Sequence, residues 1–259
     1  MRPVSPRAIR RLILEQSRRT NVGHIGSCLS IVEILVAIYD RFLSLTSPQA
    51  PERDRFILSK GHAALALYST LYLKGVLSAE QLNSFLEPGT LLGVHPERQI
   101  PGIDFTTGSL GHGLSMGAGA ALAARLQESQ RRVVALLSDG ECNEGSVWEA
   151  MMFAAQHRLA NLTAIVDANG QQAFGRTRDV LNTEPLGDRW KLFGWDVQEV
   201  DGHDLDQLTN ALQREGERPK AIVARTVFGK GVSYMEGQIA WNYLPMTEVQ
   251  YRQALQEVG

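Results

Sequence analysis

Asp139 closes an apolar run, Val133–Ser138, and opens the acidic turn DGECNEG, in which Glu141 and Glu144 follow. A second apolar run, Leu162–Asp167, ends in Asp167-Ala168-Asn169-Gly170. If both runs are adjacent parallel strands, their carboxyl ends lie side by side, where open α/β sheets bind ligands. Asp139 then offers a carboxylate oxygen and Asn169 an amide oxygen. A turn beginning at Gly170 can add the backbone carbonyl of Gln171. Such a partial oxygen set suits Mg²⁺ (or another divalent cation such as Ca²⁺ or Mn²⁺), which shares its octahedron with phosphates and water. Gly140 lets backbone approach a ligand closely, and the helix start that follows favours a phosphate. A divalent metal bridging carboxylate to diphosphate explains why a strand empties into an acidic turn. The plainer reading is that Glu144 and Glu149 only complement the dipole of the next helix, worth about 0.3–1 kcal/mol.

The elements that must hold these groups alternate between helix-like and strand-like patterns, which predicts an α/β fold with a mostly parallel sheet and helices on both faces. Expected helices are Arg7–Arg19, Leu29–Leu43, His62–Lys74, Ser78–Phe85, Leu110–Ser129, Glu144–Arg158, Leu205–Arg214 and Thr247–Glu257. Expected strands are Phe56–Ser59, Val133–Ser138, Leu162–Asp167, Asp196–Val200 and Lys220–Thr226. Ser78 with Gln81 forms a capping-box pattern, and Asp204 is placed to cap the helix after His203. The apolar segments Ile31–Tyr39 and Ala64–Leu73 are expected in the core, with a subunit interface as the alternative. Residues Glu87–Gly108 read as a long loop, and loops of that length are usually functional. No repeat or linker divides residues 1–259, so a single domain is expected.

Composition narrows the function classes. Of 259 residues 44% are hydrophobic, enough for one full core, and the formal net charge of -2 gives no basic excess for nucleic acid or an anionic membrane. Two cysteines, Cys28 and Cys142, are too few for a disulfide framework and suit a reducing compartment. No segment approaches a membrane span, and the basic amino terminus lacks the apolar core of a signal peptide. A cytoplasmic protein is expected.

DGECNEGSVWEA followed by DANGQQ resembles the thiamine-diphosphate motif, and more closely its transketolase version, with Ser138 where the family usually has Gly. The segments GHIGSCLS (Gly23–Ser30), ILSKGHAALALYSTLYLKG (Ile57–Gly75) and GVHPERQIPGIDFTTGSLGHGLSMGAGAALA (Gly93–Ala123) resemble further transketolase segments, in family order. The resemblance spans nearly the whole chain. It implies the thiamine-diphosphate-binding fold, with the chain as its diphosphate-binding domain. It implies catalytic roles for His24, His62 and His95, and cofactor contacts from His62, Gly108, Ser109, Leu110, Gly140, Glu144 and Asn169. It also implies Asp139, Asn169 and Gln171 as metal ligands, and Glu144 as a link between two cofactor sites across a dimer. Histidine titrates in the range that ketol transfer needs. His112 is a candidate near the diphosphate; His157 and His203 read as structural.

Only the first of a transketolase's three domains is represented. The resemblance therefore implies a split enzyme, partnered by a separate chain carrying the pyrimidine-binding and carboxy-terminal domains in an α2β2 heterotetramer. The expected reaction moves a two-carbon ketol unit from a ketose to an aldose sugar. One departure stands out: split relatives commonly read Trp-His where this chain has Trp241-Asn242. Asparagine hydrogen-bonds but does not exchange a proton at neutral pH. This motivates a second reading, a carboligase with a non-standard substrate. A third reading is a non-catalytic cofactor-binding subunit, which would have no need of three proton-handling groups.

Overall fold

The computed structural model describes residues 3–44 and 50–259. Its five-stranded sheet consists of β1 (Arg55–Leu58), β2 (Val133–Ser138), β3 (Leu162–Ala168), β6 (Asp196–Asp201) and β7 (Lys220–Arg225), in the order β1-β2-β3-β7-β6. Every pairing in it is parallel. β2 and β3 are buried along their whole length, as expected of continuous apolar strands covered on both faces.

Alternate side chains separate two cores. Val134, Leu136, Ile165 and Ile222 face one layer. That layer is built from α1 (Pro6–Thr20), α2 (Ile25–Ser30), α3 (Val32–Val36), α4 (Ala64–Leu73), α10 (Leu205–Gln213) and α11 (Glu248–Val258). Val133, Ala135, Leu137, Ala164 and Val166 face the other, built from α6 (His112–Leu126), α7 (Gly145–Gln156) and α9 (Leu186–Leu192). The period of two in a strand makes this sorting automatic.

Local chemistry sets the helix ends. Ser5 caps α1 by accepting the Ala8 N–H, Pro6 occupies its first turn, and Asn21 ends it in the left-handed region at φ 54°. Ser78 and Gln81 form the expected capping box on α5 (Ala79–Asn83). Asp204 caps α10, accepting from Asp206 and Gln207.

Three expectations need correction. The single helix expected over Leu29–Leu43 is broken at Ile31 into α2 and α3 and passes into a π-helical turn, Ala37–Phe42. β-Branched residues crowd this stretch, and Ser30 Oγ bonds to Asp167 of β3 at 2.7 Å, so tertiary contacts override helical regularity. His62 lies outside the regular helix, in a 3₁₀ turn, Gly61–Ala63, that precedes α4. The segment after Asn169 carries structure not anticipated: a hairpin of β4 (Gln171–Gln172) and β5 (Gly175–Arg176), then α8 (Thr177–Val180) and α9. Among the described residues, no helix is long and apolar enough to cross a membrane.

Candidate active site

The carboxyl ends of β1, β2, β3 and β7 share one edge, and a cavity of about 450 Å³ opens above it. His24, His62, His95, Gly108, Leu110, Gly140, Glu144, Asn169 and Gln171 all line it. Residues far apart in the chain thus meet where the parallel topology predicts a ligand. Ser109 is exposed and does not line the cavity. Asp139 is only 6% exposed and borders an adjoining cavity across the Asn169–Gln171 turn. His112 is an exposed first residue of α6, outside the cavity. His157 ends α7 and packs on Phe153 with ring centroids 4.4 Å apart, a structural placement.

The β2–β3 register pairs Ser138 with Asp167, which brings the two acidic strand ends together. Asp139 accepts hydrogen bonds from the backbone of Gly140 and Gly170, each at 2.8 Å, and from Thr177 Oγ1 at 3.1 Å. Burial and the neighbouring Asp167 nonetheless push its carboxyl up to about 6. Asp167 is fully buried and pairs with Lys60 Nζ at 2.5 Å. It also accepts the Asn169 amide N–H at 2.8 Å and the Thr226 hydroxyl. The Asn169 amide is therefore oriented, with its nitrogen on Asp167 and its oxygen turned to the Gln171 N–H at 2.9 Å.

Glu141, in the middle of the acidic turn, is fully buried and serves as a junction. It accepts from the Ser59 hydroxyl, from the Gly111 N–H at 2.7 Å and from the Ser138 N–H at 3.2 Å. It thereby ties the ends of β1 and β2 to the start of α6. Glu144 sits at the cap position of α7 but makes no side-chain capping bond, and is exposed at the cavity wall. At the cap position its carboxylate also stands where it complements the dipole of α7.

The histidines cluster on one side of the cavity. The rings of His24 and His62 lie 5.6 Å apart. Burial, then Lys60, His24 and His95, drives His62 well below its ordinary range. Burial, then His24, lowers His95. The Gly108 backbone packs against His95: a side chain there would stand 3.0 Å from the ring.

Lys60 and Asp167 lie inside the ILSKGHAALALYSTLYLKG and DANGQQ stretches, but their buried pairing is not visible there. Asn143, Gln172, Phe174 and Phe228 also line the cavity. Asn143 and Gln172 fall inside the DGECNEGSVWEA and DANGQQ stretches, whereas no motif marks Phe174 or Phe228.

The donor set suits a divalent cation. Two carboxylates stand together in low dielectric, and a cation at Asp139 would relieve the repulsion that raises its proton affinity. Gly140 is held against the hairpin, where an added side chain would meet Gln172 at 2.7 Å, so the backbone itself forms that wall. Among the described residues no group of three or more His, Cys, Asp or Glu forms a metal cluster, so a cation at Asp139 would have to draw on amide and carbonyl oxygens as well.

This fold and cleft define a thiamine-diphosphate-binding α/β protein. The chain belongs to the transketolase family: the model of its thiamine diphosphate binding domain matches residues 4–259. The 6-deoxy-6-sulfo-D-fructose transketolase subunit SqwG of Clostridium sp. (strain MSTE9) is 42% identical over 256 residues, 96% of this chain and 93% of that protein. An apulose-4-phosphate transketolase subunit of Phocaeicola vulgatus is 40% identical over 255 residues, 96% of this chain and 91% of that one. The crystal structure of Campylobacter jejuni transketolase superposes with a TM-score of 0.89 at 29% identity, over 98% of this chain but 41% of that one. Human transketolase is likewise matched over 38% of its length, at 36% identity. The chain thus has the extent of the separate subunits and spans about two fifths of the longer transketolases.

Proposed function

We propose that this chain is the diphosphate-binding subunit of a split transketolase, a transferase that moves a two-carbon ketol unit from a ketose donor to an aldose acceptor. The observation that carries the reading is the convergence of His24, His62 and His95 with Gly140, Asn169 and Gln171 in one cavity. The names of the relatives, which are those of subunits, support a separate partner chain, which would contribute the pyrimidine-binding half, in an α2β2 assembly. Those names give 6-deoxy-6-sulfo-D-fructose and apulose-4-phosphate as the relatives' sugars, and a substituted ketose is the substrate class assigned here.

In this reading Asp139, the Asn169 amide oxygen and the Gln171 carbonyl hold Mg²⁺. Gly108, Leu110, Gly140 and His62 face the diphosphate, and Ser109 lies on the same loop. Glu144 faces the second cofactor site across the dimer. Bound thiamine diphosphate supplies the electron sink for carbon–carbon cleavage. This chain supplies orientation and proton handling. His24, His62 and His95 take or return protons at substrate hydroxyls, and His62 and His95 can donate to developing oxyanions. Asp167 holds the Asn169 amide in the orientation that exposes its oxygen, and Lys60 pairs with Asp167.

Asn242, which lines the cavity, favours a second version with the same cofactor and an altered donor or acceptor. Co-purification of this chain with its partner, followed by assay of ketose phosphates with aldose acceptors, Mg²⁺ and thiamine diphosphate, tests both. Transfer that needs both chains is expected. A complex that binds the cofactor and ignores sugar phosphates would favour the second version, and a complex without cofactor binding would overturn both.

A further inference from the structure

Asn242 ends the 3₁₀ turn Ile239–Asn242 and touches His24 twice. Its backbone carbonyl accepts the His24 N–H at 3.2 Å, and its side-chain oxygen lies 3.2 Å from His24 Nδ1. His24 needs such a hold, because it sits at φ 59°, a left-handed conformation uncommon for a residue with a side chain. The contact is close because Gly23 precedes it: a side chain there would stand 2.8 Å from the Tyr243 carbonyl oxygen. The same segment is fastened on its far side. The Tyr243 hydroxyl donates to the Ala173 carbonyl at 2.5 Å, and the Gln171 amide donates to the Gly237 carbonyl at 3.1 Å. Residues 237–243 therefore bridge the His24 loop and the β4–β5 hairpin, and Asn242 is not free to move away from the imidazole.

We propose that Asn242 is the positioning residue of His24: its amide oxygen accepts Nδ1–H and so fixes the imidazole tautomer whose Nε2 lone pair serves the cavity. An imidazole in that state accepts a proton and does not donate one at Nε2. An amide, unlike a carboxylate, adds no charge to stabilise the imidazolium. The charged and titratable groups around the ring are His62 of the 3₁₀ turn, His95 of the long loop, and Lys60 beside His62. All three line the same cavity as His24, and the His62 ring centroid lies 5.6 Å from that of His24. His24 is thus set as a proton acceptor at Nε2. The proposal deepens the transketolase reading and rests on it for the identity of the proton's source, a substrate hydroxyl.

The test is long-range ¹H–¹⁵N spectroscopy of the imidazoles in the ¹⁵N-labelled full chain, with His24 assigned by the loss of its signals in His24→Gln. The wild type is expected to show the Nδ1–H tautomer at His24. Asn242→Leu is expected to return it to the Nε2–H form that dominates in free imidazole side chains. Asn242→Asp, nearly isosteric, is expected to keep Nδ1–H and raise the His24 midpoint by about 1 pH unit or more. In the complex with the partner, the acid limb of kcat/KM should move by the same amount, and Asn242→Leu should lower kcat more than it changes KM. A wild-type His24 carrying its proton on Nε2, or a tautomer unchanged in Asn242→Leu together with an unmoved midpoint in Asn242→Asp, would overturn the proposal. The spectra need neither sugar nor partner. A correct tautomer in a chain that transfers no ketol unit would refute the activity and leave the positioning role standing.

Discussion

At the scale of single residues, the site joins groups that would repel each other unaided. Asp139 and Asp167 meet because two parallel strands end together, and Lys60 compensates only Asp167 directly. Asp139→Ala is therefore expected to lower cation-dependent binding of thiamine diphosphate by at least about 100-fold, since it removes a proposed ligand where outer partners alone are worth 10–100-fold. Titration calorimetry on the assembled enzyme with Mg²⁺ reads this directly; unchanged affinity would move the metal elsewhere. His95 makes a different prediction. It lines the cavity and packs against Gly108, but Asp139 and Asn169 stand on other elements. His95→Ala is expected to leave cofactor affinity little changed and to reduce turnover by about 10²–10⁴-fold, the range of a lost acid–base group. Steady-state kinetics beside the calorimetry separates the two effects.

At the scale of elements, the site depends on how closely backbones approach. Gly113, in the first turn of α6, lies against the end of β1, where an added side chain would meet Ser59 Oγ at 2.2 Å and its Cα at 2.8 Å. Ser59 in turn holds Glu141, the junction of the acidic turn. Gly113→Ala is expected to cost about 1–3 kcal/mol, the usual penalty of overpacking, because strand backbone cannot turn aside. Chemical denaturation measures it. The strands were legible in the sequence for a physical reason: β2 and β3 are covered on both faces and read as unbroken apolar runs ending in polar turns. The break at Ile31 was not, because an all-round apolar segment has no periodicity to lose and its geometry is set by partners such as Asp167. The β4–β5 hairpin pairs only Gln171 with Arg176 and Gln172 with Gly175, too short for any alternation to register. Among site residues, Asp139, Asn169 and the histidines were visible through spacing and resemblance. The buried roles of Glu141, Lys60 and Asp167 were not, since their partners come from distant parts of the chain.

At the scale of the whole molecule, an internal ion pair fastens the amino-terminal helix to the second half of the chain. Arg10 of α1 pairs bidentately with Glu33 of α3 at 2.7 and 2.8 Å. Glu33 also meets His203 Nδ1 at 3.0 Å, and His203 Nε2 accepts the Val227 N–H at 2.9 Å. Burial raises the Glu33 carboxyl, but the bonds from His203 and Arg10 outweigh it and hold it at about 2, against an ordinary 4.5. The ionised pair stabilises the fold fully above pH 4.5 and loses that contribution as pH falls from 4.5 toward 2. Glu33→Gln is expected to destabilise the protein by about 3–5 kcal/mol at pH 7, since it leaves Arg10 buried without its partner charge. The gap from wild type should shrink in urea titrations at progressively lower pH. A gap independent of pH would show that packing, not charge, carries the contact.

The sheet order has a consequence for how the protein is made. β7, built from residues 220–225, lies between β3 and β6, and the turn that holds His24 lies later still, at residues 239–242. A nascent chain leaving the ribosome amino terminus first can assemble β1, β2 and β3 side by side, yet one flank of β3 stays bare until the final strand of the sheet emerges. Long-range pairings of this kind form slowly and leave strand edges exposed in the meantime. Cofactor capture is thereby deferred until residues 220–242 have emerged, and a chain truncated before residue 220 would expose the edge of its central strand and present an aggregation hazard.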